Sequence, residues 1–279
     1  MLGAIFHPRA LTIVTIDLLG RLRQHRGLLI EQTRRELVEQ HAGQVFGSLW
    51  SLLNPLFLML IYVFVFTFVF QTRIGGTLEL PLDFTSYILS GLSPWLAIVQ
   101  AINKSTNSLV SNSNLIKQVV FPIEVLPVKM ALSSVAPLLV MVGVYFIYTI
   151  IFQHHVFETQ LLFPLLLVIY VLWTVGIGFI FASLTVFIRD VREIVQLIMV
   201  SGVFVLPVIY LPEWVPSLFK PILYINPFSY VIWCFQDALY FGRFEHPWAW
   251  PVAIFGGMLV FMVGARVFRG LKPFFGDAL

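Results

Sequence analysis

The chain has 279 residues, of which 59% are apolar or aromatic and only 11% are Asp, Glu, Lys or Arg, at a mean hydropathy of +0.91. A soluble domain carries about 25% charged residues, so these few ions cannot cover a water-facing surface, and a membrane protein is predicted. At about 20 apolar residues per spanning helix, six or seven spans would use up the chain and exclude a second, catalytic domain. The net charge of +3 fits basic cytoplasmic loops better than a nucleic-acid partner. Cys234 stands alone, which excludes an internal disulfide or a thiolate metal cluster.

In chain order, the run Ala10 to Ile16 is too short for a signal-peptide core and is ended by Asp17, so the N-terminus is expected to be retained. Leu28 to Leu49 mixes Leu29, Ile30, Leu37 and Val38 with Arg34, Arg35 and Glu36, a pattern that suits a helix lying along the cytoplasmic interface. Gly43 and Gly47 predict a bend into the first span. Because a charge at mid-bilayer is costly, stretches free of charge mark the spans. These are Trp50 to Phe70 within Gln40 to Thr72, Phe84 to Asn103, Met130 to Phe157, Thr159 to Ile188, Ile194 to Pro212, and His246 to Ala265. The remaining apolar stretch, Pro221 to Gln236, is short and holds Asn226-Pro227 behind Pro212, Pro216 and Pro221. Proline ends helices, so Pro212 to Leu239 is predicted to form two short helices that dip into the membrane and return, a gate; a seventh span is the alternative.

Fourteen Lys and Arg fall in the N-terminal segment, the loops after spans 2 and 4, and the tail with Arg266, Arg269 and Lys272; the other side has only Arg73, Lys220 and Arg243. Positive loops stay inside, so both termini are predicted to be cytoplasmic. The fold class expected is an all-α integral membrane protein of six transmembrane helices with an N-terminal interface helix and short re-entrant helices between spans 5 and 6. One transmembrane domain would cover residues 1–279: a cytoplasmic N-terminus at 1–49, the bundle at 50–268 and a cytoplasmic tail at 269–279.

No G-x-x-x-x-G-K-[ST] loop is present to cradle ATP phosphates, and no Asp, Glu, Lys or Arg lies inside a span to bind a coupling ion. His154 and His155 are adjacent and lack a third metal ligand. The chain is therefore expected to be no enzyme, and to bind no metal or cofactor of its own. Aromatic residues reach 15%, with 27 Phe. Phe57, Phe64 and Phe68 share one helical face, a surface on which pyranose rings could stack as a glycan passes; the alternative is packing against lipid.

These residues resemble the ABC-2 type permeases of polysaccharide exporters over nearly the whole chain. The resemblance rests on Thr33-Arg34-Arg35-Glu36-Leu37, Phe46-Gly47-Ser48-Leu49-Trp50 through Asn54-Pro55, and Ser90-Gly91-Leu92-Ser93-Pro94-Trp95. It continues in Asn114-Leu115-Ile116-Lys117, Phe121-Pro122-Ile123-Glu124, Arg189-Asp190-Val191 and Asn226-Pro227-Phe228. It implies a homodimer in the bacterial inner membrane, paired with two copies of a separate ATPase that carries ATP and Mg, exporting a lipid-linked polysaccharide, O-antigen first and capsule or teichoic acid next. A passive pore without an ATPase is the rival reading. In the loop after span 2, Leu115, Ile116, Val119 and Val120 make one apolar face of a short helix stopped by Pro122. The resemblance implies that Ile116 to Phe121 enters the ATPase groove as a coupling helix, with Lys117 and Glu124 as rim charges; packing on the membrane surface or on the chain's own N-terminal helix is the alternative. It also implies that Pro216, Asn226 and Pro227 belong to the gate.

Overall fold

The computed structural model describes residues 8–39, 44–69, 80–118 and 121–279, and every regular element among them is helical. At the N-terminus α1 (Pro8–Gln24) and α2 (Arg26–Glu39) run nearly end to end, followed by α3 (Trp50–Val63), which continues as a wider π turn over Phe64–Val69. Then come α4 (Phe84–Ser111), α5 (Ser113–Gln118), α6 (Val125–Ser133) and α7 (Val135–Tyr148). The second half holds α8 (Phe163–Phe187), α9 (Val191–Ser201), α10 (Lys220–Ile225), α11 (Pro227–Gln236), α12 (Ala249–Leu271) and α13 (Phe275–Ala278). Four helical stretches are long and apolar enough to cross a membrane: Phe84–Ser111, Val125–Gln153, Glu158–Phe187 and Ala249–Ala278.

Helix α4 starts where Asp83 accepts hydrogen bonds from the Ser86 N–H at 3.1 Å and the Ser86 hydroxyl at 2.6 Å, a side-chain cap for otherwise orphan donors. The stretch from α6 through α7 ends at His154, whose positive φ of 52° turns the chain. At the centre α8 crosses α12 through glycines: a Cβ on Gly264 would stand 2.1 Å from the Gly176 carbonyl oxygen, and one on Gly176 2.6 Å from the Phe261 nitrogen. Small residues let membrane helices approach this closely. The α4, α7, α8 and α11 side chains fill the main core with Trp95, Tyr145, Tyr170 and Trp233; a second cluster, with Leu18, Phe179, Phe268 and Phe275, lies at the end where the termini meet.

Two expectations are corrected. The predicted fifth span, Ile194 to Pro212, is not one helix: α9 has 11 residues, about 16 Å at 1.5 Å per residue. Beyond it the chain passes through a short 3-10 turn, Gly202–Phe204, and irregular turns. Gly202 lies against the Trp95 indole, where a Cβ would stand only 2.3 Å from the ring, and Pro207 removes a backbone donor. The freed carbonyls are taken up inside the protein: Tyr87 donates to Pro207 O and Tyr210 O at 3.1 Å each, and Gln236 Nε2 donates to Pro207 O at 2.7 Å.

The second correction concerns the loop between spans 2 and 3, expected over Lys104 to Lys129. Lys104 lies within α4 and Lys129 within α6, so the connection is far shorter. The structure also adds a helix before the predicted interface segment: α1 packs against α12, with Val14 and Leu18 buried and Asp17 bound to Arg269. The two short helices expected within Pro212 to Leu239 are present as α10 and α11, broken at Asn226-Pro227, where the Asn226 side chain caps the Phe228 N–H at 3.1 Å.

Candidate coupling and translocation surfaces

One end of the bundle gathers the basic segments. Asp17 of α1 bonds Arg21 at 3.2 Å as well as Arg269 of α12, and these guanidinium groups, Arg21 first, hold its carboxyl below the usual range. Glu36 of α2 pairs with Lys129 of α6 at 3.3 Å, and Arg35 pairs with Glu31 one turn back at 3.0 Å. Glu124, before α6, bonds Lys272 in the tail at 2.7 Å. Phe275 of α13 is fully buried against Phe268 and packs beside Phe187. Arg34 points outward, exposed, on α2.

The predicted coupling residues separate here. Ile116 and Phe121 are half-buried against the chain's own second core cluster. The Ile116 side of the short helix therefore leans on its own subunit. Lys117 and Asn114 are exposed and form the surface that α5 offers outward. Glu124 is 2% exposed and closed into the Lys272 pair, so it is an internal tie and no rim charge. Val120 lies outside the described residues.

On α3, Phe57, Phe64 and Phe68 are 65%, 54% and 66% exposed, with Phe64 and Phe68 rings 6.0 Å apart. Leu53, Leu60 and Ile61 are exposed alongside them, so this outward face is mostly apolar, with Asn54 exposed near its start. Tyr62 and Phe66 stack on the other face, and Phe66 meets Phe84 of α4.

The opposite end of the bundle carries the gate residues. Pro216 and Pro227 are exposed and Asn226 is half-buried. Pro216 lines an apolar cleft of about 420 Å³ with Phe204, Trp214, Phe219 and Ile222. Behind it lies an element that sequence reasoning missed. Asp237, 1% exposed, accepts from the His246 backbone N–H at 3.0 Å, faces His246 Nδ1 at 2.8 Å and accepts from Trp250 Nε1 at 3.0 Å. His246 stacks on Trp233, which meets Trp248, Tyr224 and Tyr230. The carboxylate thus ties the turn after α11 to the start of α12. Glu213 lies exposed in the turn Pro212–Trp214. The Asp237 to His246 separation matches no chemical motif, so only the fold brings the two together. Among the described residues no group of His, Cys, Asp and Glu is placed to hold a metal.

Long apolar helices and a glycine-mediated crossing define a multi-pass helical membrane protein. Residues 29–240 match the family described as ABC-2 type transporter, and the chain belongs to that family. Membership of that family makes it a transport protein. It is 28% identical over 261 residues to an O-antigen export system permease protein RfbA of Klebsiella pneumoniae, covering 90% of this chain and 95% of that protein. A second Klebsiella pneumoniae protein of the same description is 26% identical over 253 residues, again 90% and 95% of the two chains. One from Myxococcus xanthus is 26% identical over 268 residues, covering 95% of this chain and all of that protein.

Proposed function

We propose that this chain is the membrane-spanning subunit of an ATP-driven exporter that carries lipid-linked O-antigen polysaccharide across the bacterial inner membrane. The observation that carries this reading is the match, over nine-tenths of the chain, to proteins named for O-antigen export. In this reading two copies form the channel and join two copies of a separate ATPase that holds ATP and Mg. The chain then crosses the membrane six times, counting α3 and the broken α9 segment, with both termini in the cytoplasm and α10 and α11 as a gate on the outer side. The split of fourteen basic residues to three supports that orientation. The ATPase contact falls on the exposed Asn114 and Lys117 of α5 and on Arg34 of α2, while Glu124 and Lys272 brace the segment behind.

The test is export in cells lacking the chain, restored from a plasmid. Surface polymer should return with the native partner ATPase and fail to return with a partner whose hydrolysis is blocked. Normal export with the blocked partner would mean a passive pore and overturn the reading. Lys117→Glu should reduce co-purification of the ATPase and export together, at unchanged folded yield.

A further inference from the structure

Helix α4 is enclosed on almost every side. Between Phe84 and Leu109 the residues that escape burial are Leu96, Val99, Gln100, Asn103, Lys104 and Asn107. Steps of three and four place them on one face. From Gln100 onward that face is hydrophilic.

The other polar side chains of α4 behave differently. Ser90 donates to Tyr87 O at 2.8 Å, Ser93 to Leu89 O at 2.7 Å and Thr106 to Ile102 O at 2.7 Å, each satisfied by its own helix and fully or almost fully buried. Asn107 Nδ2 donates to Asn103 O at 3.0 Å, whereas the side-chain amides of Gln100 and Asn103 take no hydrogen-bond partner among the described residues. Lys104 lies within electrostatic reach of Glu36. The face does not lie at the very end of the bundle. Ser105, its buried neighbour, packs on Gly178 of α8, nine residues and so about 13 Å inside the end of that helix at Phe187. An amide that meets hydrocarbon without a partner costs several kcal/mol, so lipid does not suit this face. Water or a hydroxyl-rich ligand does. The exposed aromatic face around Phe57, Phe64 and Phe68 has the opposite character, apolar and suited to lipid or a second copy.

We propose that Gln100, Asn103 and Asn107 form a hydrophilic track that carries the saccharide portion of the exported polymer through the membrane. The assignment rests on reading the chain as a glycan permease. A carboxamide offers two donors and an acceptor on one planar group. It can exchange hydrogen bonds with successive sugar hydroxyls without holding any of them, which a sliding polymer requires.

The test uses single cysteines at Gln100, Asn103 and Asn107 in a Cys234→Ala background, with Ala97 (buried) and Leu60 (exposed on the apolar face) as controls. A charged methanethiosulfonate reagent is added to inverted membrane vesicles. One preparation comes from cells making the polymer with a hydrolysis-blocked ATPase, the other from cells lacking the first sugar transferase. The track positions should react about tenfold faster than both controls, because the thiolate forms only where water reaches, and stalled polymer should slow them severalfold. Separately, Gln100→Leu with Asn103→Leu, which keep size and remove the amides, should lower export about fivefold per folded molecule, the equivalent of one hydrogen bond lost, with ATPase co-purification unchanged. Reaction no faster than at Leu60 would overturn the track. So would disulfides between copies at these positions with no protection by polymer, which would make the face a contact between subunits. Normal export by the double-Leu variant would overturn it as well. Failure of the permease reading is distinct: export would then persist in cells lacking the chain.

Discussion

Glu124 and Lys272 show how a buried ion acts at the scale of a single residue. The Glu124 side chain is 3% exposed and the Lys272 side chain 31%, so the carboxylate depends on the ammonium far more than the reverse. Removing only the cation leaves a desolvated carboxylate, which costs more than removing both charges. Lys272→Met should lower the thermal midpoint of the detergent-solubilised protein, by the equivalent of about 1–3 kcal/mol, and Glu124→Gln in the same chain should restore part of the loss. A double variant no more stable than Lys272→Met would remove the pair from the account. Asp17 works at the surface and contributes little, but its sign is determined. Its folded pKa lies below the unfolded value near 3.9. Its contribution is therefore present above that value and is lost as pH falls through the folded pKa. The midpoints of the native chain and Asp17→Asn should differ slightly at pH 6 and converge below about pH 4.

At the scale of elements, glycine decides whether α8 and α12 can meet. A methyl group on Gly264 would overlap the Gly176 carbonyl, a backbone atom that cannot rotate away. Gly264→Ala should therefore sharply reduce folded yield. Gly270 sits in the last turn of the same helix with nothing within 4 Å of an added Cβ. There Ala should be neutral or stabilise by up to about 1 kcal/mol, the helix-propensity difference. Equal losses at both positions, measured by size-exclusion yield, would mean that the close crossing does not govern assembly. The broken helix after α9 follows the same logic with an aromatic partner. Trp95 occupies the space that a side chain at Gly202 would need, and Tyr87 and Gln236 receive the carbonyls that the break releases. Helix ends and breaks at proline and glycine could be read from local sequence. The break at Gly202 could not, because its cause is a residue 107 positions away in the chain.

At the scale of the whole molecule, two networks hold the ends. At one, Asp17–Arg269, Glu36–Lys129 and Glu124–Lys272 tie both terminal segments to the loop after α4. At the other, Tyr148 donates to Asp83 at 2.6 Å, Tyr240 to Leu82 O at 2.8 Å and Thr159 to Ala238 O at 2.8 Å. A cysteine at Ala278 or Ser111, in the Cys234→Ala background, should be protected from an impermeant thiol reagent added outside cells, and one at Glu158 should react. External labelling of Ala278 would reverse the proposed orientation.

The membrane class, the charge asymmetry, the four long spans and the short helices at Asn226-Pro227 were legible in the sequence because each depends on residues near one another in the chain. Composition sets the solvent, periodicity sets the helix, and proline stops it. What only the tertiary structure decided depends on distant partners. The run Ala10 to Ile16 reads from sequence only as too short for a signal-peptide core, whereas α12 gives Val14 and Leu18 of α1 a surface. Ile116 reads as a partner-facing residue until the chain's own second core cluster half-buries it, and Glu124 reads as a rim charge until the tail closes over it. Gln100, Asn103 and Asn107 passed as polar residues at the end of a span and the start of a loop. Their shared face emerges only once α4 runs on to Ser111 and its other sides are buried, because a polar side chain means something different where hydrocarbon, and not water, is the alternative.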